Sequence, residues 1–363
     1  MRNTGFLSEY RNTLREWVNY ETPTGDEERL HAFLRLLSEA FSSSGAEVSV
    51  YENENAPVMH ARIGKGEKRC VLLGHADTVF PFGEAEKFDE ENGRFYGAGI
   101  LDMKSGLFMM KKILDAFSDC LPDDWQVEAI VNTDEESGSA KSAEMLQSLL
   151  KGAKFALVFE GSPEGNVTVQ RKGIIRFQIR VKGVAAHASA GDPERKSAIY
   201  ALTRILSDIY DANLPESATL NIGTVKAGRG VNIVADRAEV EGEIRALTEE
   251  EMKTAFESIE KAVSSYPAVC EIISVRPPMT GDTKLYEIAK AAAEKAGLSV
   301  SARTAGGGSD GAYASSVGVP VLDGMGAEGG RAHTRREYAE KKSLEKRYLL
   351  ALECVKSAID YFG

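Results

Sequence analysis

Apolar positions recur along this chain with two different periods, and the change between them marks its organisation. Phe6, Tyr10, Leu14, Trp17 and Val18 form a helical stripe. Thr24 followed by Glu27 has the form of a capping box, opening a helix with Leu30, Phe33, Leu34, Leu37 and Phe41 on one face. Short apolar runs then predict strands at 48–51, 58–63 and 70–73, and a helix starts near Lys104. A strand at 127–131, a helix at 140–150 and a strand at 155–159 follow. Strands alternating with helices predict an α/β domain around a mainly parallel sheet.

From residue 173 the texture changes. Ile175, Phe177, Ile179 and Val181 alternate with Arg176, Gln178 and Arg180, a strand with one wet face. A helix (196–210), two strands (219–225, 238–245), a helix (248–264) and a strand (269–275) complete a β-α-β-β-α-β order, the ferredoxin-like pattern. Pro277 and Pro278 end it. The buried α/β style then resumes with a helix at 283–296, a strand at 298–302, a helix after Ser309, a strand at 319–322 and a helix at 343–361. A small α+β domain (173–278) is therefore expected as an insertion in a larger domain built from 1–172 and 279–363.

Composition narrows the function. The 363 residues carry 44 Lys plus Arg against 55 Asp plus Glu, a net charge of −11, which disfavours nucleic acid as a partner. No apolar run approaches the about 20 residues of a membrane span, and MRNTGFLSEY lacks the apolar core of a secretory leader. Cys70, Cys120, Cys270 and Cys354 form no C-x-x-C pair, so reduced, buried thiols in a cytoplasmic protein are expected.

The candidate chemistry sits where strands end, the usual place for ligands in such sheets. GHADTV puts His75 and Asp77 after the strand at 70–73. An imidazole with a carboxylate two residues on is a ligand and its orienting partner, or a histidine that merely closes a strand. Asp102 stands after a Gly-rich turn, 27 residues beyond His75, and reads equally as a helix cap. Asp134, Glu135 and Glu136 are consecutive acids at the next strand end, a costly arrangement unless a cation compensates. Glu160 ends the following strand, and His333 lies in a late Gly-rich loop. Nitrogen and oxygen donors without cysteine suit a catalytic divalent metal, and five of them suit two metals sharing one carboxylate.

The segments GHADTV, GAGILDMKSG, NTDEESGS, AAHASAG, RGVNIVADRAEVEGEIR and GGGSDGAYA resemble those of the dinuclear zinc metallopeptidases. That family includes bacterial glutamate carboxypeptidase, aminoacylases, acetylornithine deacetylase and succinyl-diaminopimelate desuccinylase. The resemblance covers essentially the whole chain and is closest to the glutamate carboxypeptidase branch. It implies two Zn²⁺, with Co²⁺ or Mn²⁺ as alternatives, and Asp102 bridging them. It implies His75 and Glu160 on one metal, Glu136 and His333 on the other. Glu135 is then the general base, Asp77 the group that orients His75, and Asp102–Met103 a cis peptide. The inserted domain is implied to be a lid through which the chain forms a homodimer. There His187 is implied to stabilise the oxyanion, and Arg276 to grip a substrate carboxylate. Asn232 matches the family's lid asparagine, Arg245 is a weaker candidate for the carboxylate region, and Gly307 lies in a loop that resembles a substrate-lining one. His31 and His60 match no motif.

Gly161 stands where many relatives have proline, and the run Asn232-Ile233-Val234-Ala235-Asp236 lacks the proline that many have soon after the lid asparagine, which leaves the substrate open. The expected activity is hydrolysis of the amide bond to a C-terminal amino acid. The alternatives are an N-acyl-amino-acid deacylase, a dipeptidase, or, in another class, a binding protein with a dead site. Retention of Glu135 and all five ligands argues against the last.

Overall fold

A computed structural model of the chain describes residues 4–53, 56–189 and 197–363. Met1–Asn3, the end of the AAHASAG motif (Ala190 and Gly191) and the expected helix start Lys196 lie outside the described residues. The chain divides into two units. Unit 1 is Met1–Arg171, Met279–Ala305 and Ser309–Gly363; unit 2 is Lys172–Pro278 with Gly306–Gly308.

In unit 1, α1 (Thr4–Asn19) buries Phe6, Tyr10, Leu14, Trp17 and Val18. The stripe of α2 (Glu27–Ser42) is likewise buried. Its cap differs from expectation. Asp26, not Thr24, accepts from the Arg29 amide at 3.2 Å. Asp26 stands directly before the first helical residue, where a cap must be.

Five strands and a short sixth form the central sheet. They are β1 (Glu47–Tyr51), β2 (Val58–Gly64), β3 (Lys68–His75), β4 (Trp125–Asn132), β5 (Phe155–Val158) and Val321–Leu322. Their spatial order is β1-β2-β4-β3-β5 and then Val321–Leu322. β1, β2 and β4 pair antiparallel. β4, β3, β5 and the last strand pair parallel. The sheet is thus mixed, with its parallel half formed by the most continuous apolar runs. Register brings the carboxyl ends together: His75 lies opposite Asn132, and Leu73 opposite Val158. The residues that follow Asn132 and Val158 therefore emerge beside His75. Helix α3 (Ser105–Phe117) packs close to this end, where a Cβ on Gly106 would sit 2.2 Å from the Phe159 carbonyl oxygen. Glycine is required there, and the close approach carries Asp102 toward Glu160. After β4, the helix expected from 140 begins later, as α4 (Ala143–Leu150).

Unit 2 contains β6 (Gly173–Lys182), α5 (Ala198–Tyr210), β7 (Thr219–Ala227), β8 (Arg237–Ala246), α6 (Glu249–Ser264) and β9 (Ala268–Arg276). The sheet order is β7-β8-β6-β9, with every neighbour antiparallel. Ile175, Phe177, Ile179 and Val181 face a core shared with Ile205, Ile209, Phe256 and Ile259.

Two smaller expectations fail. The strand expected at 298–302 forms instead at Ala302–Ala305, beside Val167–Arg171. Val300 is buried without joining a sheet, so burial and not pairing explains its apolarity. Cys70 and Cys354 are buried, but Cys120 is exposed and Cys270 half-buried. Among the described residues, no helix is long and apolar enough to cross a membrane.

Candidate metal centre

The centre starts at the end of β3. His75 is buried, and its Nδ1 lies 3.0 Å from the Asp77 carbonyl oxygen and 3.3 Å from Asp77 Oδ1. Those acceptors favour a proton on Nδ1, which leaves Nε2 as the donor atom for a metal. Nε2 faces Asp102 Oδ1 at 3.1 Å and Glu160 Oε1 at 3.6 Å. Asp77 is itself fully buried. Its carboxylate accepts from Thr24 Oγ1 at 2.8 Å, the Glu135 amide at 3.2 Å and the Glu136 amide at 3.1 Å.

Asp102 is not a helix cap. It lies in a non-helical turn after Gly99, which takes φ of 71°, and the Asp102–Met103 peptide is cis. The second oxygen, Oδ2, faces His333 Nε2 at 3.0 Å. His333 Nε2 is also 3.2 Å from Glu136 Oε2. Each oxygen of Asp102 thus meets a different imidazole. One of these imidazoles meets Glu160 and the other Glu136. Glu135 is buried, and its carboxylate belongs to a group with His75 and Glu160 whose ligand atoms lie within 4.8 Å of one another. Asp134, the third consecutive acid, turns away and accepts from Ser142 Oγ at 2.5 Å and the Lys141 amide at 3.0 Å.

The electrostatics follow from this crowding. Burial pulls His75 down, but hydrogen bonds to Asp102 and Asp77 outweigh it and hold the imidazole well above its usual value. Hydrogen bonds to Asp102 and Glu136 push His333 up to about 11. Burial and then the Asp102 charge push Glu160 well above the usual range. Glu136 is raised chiefly by burial. Asp102 is held low despite its burial, because both histidines hydrogen-bond to it. Clustered acids that must share protons with imidazoles are the oxygen and nitrogen donor set that a divalent cation takes. The residues present therefore fit a divalent metal ion.

Several contributors carried no assigned site role in the sequence, although Asp310 and Tyr313 lie within the GGGSDGAYA segment. Thr24 fixes Asp77. Asp310 Oδ1 accepts from Ser139 Oγ at 2.5 Å, and Tyr313 Oη donates to the Gly138 carbonyl at 3.1 Å, so both fasten the loop after Glu136. Glu337 lies buried behind Asp102; burial and the Asp102 charge push it up to about 8, against the pull of three amide donors. All make their contacts across long sequence separations, so no local pattern signals the partners.

The other predicted residues belong to unit 2. His187 is exposed there, and its Nδ1 accepts from the Ser189 amide at 3.2 Å, which leaves Nε2 to carry the donor proton. Asn232 is exposed in the adjoining turn, with its carbonyl bound by the Ala188 amide at 3.0 Å. Arg276 is 7% exposed and packs on Gly308, where a Cβ would lie 2.7 Å from Arg276 Cδ. Arg245 donates to Glu243 Oε1 at 2.7 Å and to the Gly306 carbonyl at 2.9 Å. Gly307 sits between those two glycine contacts.

A model of Peptidase family M20/M25/M40 matches residues 71–357. The chain belongs to this family. Carboxypeptidase G2 of Pseudomonas sp. (strain RS-16) is 29% identical over 365 aligned residues, covering 94% of this chain and 88% of that protein. A succinyl-diaminopimelate desuccinylase of Thioalkalivibrio sulfidiphilus is 27% identical over 338 residues, 86% of this chain and 89% of its own. Among solved structures, an M20 family metallo-carboxypeptidase from Sulfolobus solfataricus superposes with a TM-score of 0.80 at 17% identity, covering 96% of this chain and 99% of that one. As a family member the chain is a metal-dependent hydrolase of amide bonds.

Proposed function

We propose that this M20 hydrolase holds two divalent ions, zinc first among them, and cleaves the amide bond to a C-terminal amino acid with a free carboxylate. A glutamate-releasing carboxypeptidase is the specific reading. The two-sided Asp102 carries it: one carboxylate, two imidazoles, and one further acid behind each imidazole. That is the donor pattern of a shared bridge between two metals.

When bound, such a pair lowers the pKa of water and polarises the scissile carbonyl. The chain supplies the rest. Glu135 takes the proton of the attacking water and returns it to the leaving nitrogen. Asp77 holds His75 in its tautomer and braces the Glu135–Glu136 turn. In unit 2, the Nε2 proton of His187 is the donor for the oxyanion. The Arg276 guanidinium is the group for the free carboxylate, since its fork matches two oxygens.

A cleft of about 380 Å³ beside Glu136 is lined by Pro23, Thr24, Val79, Phe80, Pro81 and Ser137.

The test pairs metal analysis with a substrate panel of acyl-glutamates, acetyl-amino acids, succinyl-amino acids and dipeptides. Two metal equivalents per chain and preference for acyl-glutamates are expected. Turnover of acetyl-amino acids alone would replace the carboxypeptidase reading with the deacylase one. Glu135→Gln should retain metal and lose about 10²- to 10⁴-fold in kcat; unchanged turnover would remove Glu135 as the base.

A further inference from the structure

Glu337 is 1% exposed and carries no part of the reaction described above. Its carboxylate nonetheless organises the turn that presents Asp102. Oε1 accepts from the Leu101 amide at 2.7 Å and the Asp102 amide at 3.0 Å; Oε2 accepts from the Gly99 amide at 3.3 Å. The same residue's carbonyl accepts from the Gly97 amide at 3.4 Å. The turn is non-helical at Asp102, with φ of −119° and ψ of 87°, so regular helical bonding does not serve these amides. Buried amides without acceptors are costly, and a carboxylate with about four lone-pair sites can take all three.

Glu337 is also anchored on the other side. Its amide donates to the Thr334 carbonyl at 3.1 Å, closing the loop that carries His333. The next residue, Tyr338, opens a strand that pairs with Tyr96. One side chain therefore links the backbone of Asp102 to the loop of His333, the two groups that meet at 3.0 Å.

We propose that Glu337 is a positioning residue for the metal centre: it aims Asp102 from the backbone side and couples it to His333. The inference rests on the reading of Asp102 and His333 as metal ligands. Glu337→Ala leaves three amides without their acceptor, those of Gly99 and Leu101 buried and that of Asp102 partly buried. Glu337→Gln keeps the volume but turns an amino group toward at least one of them.

Zinc affinity of the purified full-length chain, measured by competition with a chromophoric chelator, tests this without relying on turnover. Leu37→Ala, in the core of α2, serves as a control that lowers the melting temperature away from the turn. Zinc should bind about 10- to 100-fold more weakly to Glu337→Ala, with Glu337→Gln weakened less. Leu37→Ala should bind zinc as the wild type does. If Glu337→Ala fails to fold, Glu337→Gln decides the matter. Wild-type affinity in the Glu337 variants, or equal weakening in Leu37→Ala, overturns the inference. Absence of zinc binding by the wild type overturns the metal-centre reading beneath it, a distinguishable outcome.

Discussion

Asp77 joins three separated pieces of chain through one carboxylate. It faces His75 two residues earlier, two amides of the Glu135–Glu136 turn, and the hydroxyl of Thr24. Asp77→Asn keeps the volume but brings an NH₂ group against donors. Metal affinity should fall about 10- to 100-fold, read by the same chelator competition. Thr24→Val removes a hydroxyl that donates to Asp77 Oδ2 and also lies 3.2 Å from the Thr78 carbonyl, and should cost about 1 kcal/mol in denaturant unfolding. Equal stability of Thr24→Val and wild type would show that Asp77 does not need it. The sequence made His75 and Asp77 visible because both follow an apolar strand. It hid Thr24 because Thr24-x-x-Glu27 imitates a cap, while Asp26 makes the actual one. Glu337 was hidden for a related reason: its partners are backbone amides more than 200 positions away, and amides leave no mark on a sequence.

Among elements, the long ones were legible and the short ones were not. The apolar runs of β3, β4 and β5 are continuous enough to read, and so were the acids at their ends. Ser162–Pro163, Glu328–Gly330 and Tyr338–Glu340 are two or three residues long and carry no periodicity. Another short strand, Asp89–Glu91, fastens distant helices. Glu90 pairs with Arg11 of α1 at 2.6 Å and also with Lys341, which opens the helix Lys341–Phe362. Hydrogen bonds to Arg11 and Lys341 lower the Glu90 carboxyl from 4.5 to about 2. A carboxyl lowered on folding stabilises fully above its unfolded value, and the contribution disappears as pH falls through the folded one. The stability difference between wild type and Glu90→Gln should thus be constant above about pH 5 and shrink between 4.5 and 2. A difference that stays flat over that window, in unfolding curves taken at each pH, would contradict the pairing.

At the scale of the molecule, β7 and β9 are the outer strands of the unit 2 sheet among the described residues. β9 exposes Val269, Ile272, Ile273 and Val275, and β7 exposes Val225. Exposed apolar edges invite pairing with another chain. We therefore expect a homodimer through unit 2, read as twice the monomer mass in light scattering, with Ile273→Lys shifting it toward monomer. A wild-type monomer at micromolar concentration would contradict this. The change of texture at 173 was legible, since alternating strands from there onward differ so plainly from the continuous runs before them. The consequence of unit 1 being split extends to the order of events in the cell. Asp102 and His333 touch across 231 residues. A ribosome adding about 5–20 residues per second takes roughly 10–50 s to cover that distance. During that interval the nascent chain carries its acids without their last imidazole. The complete donor set can exist only after all of unit 2's main segment has been made.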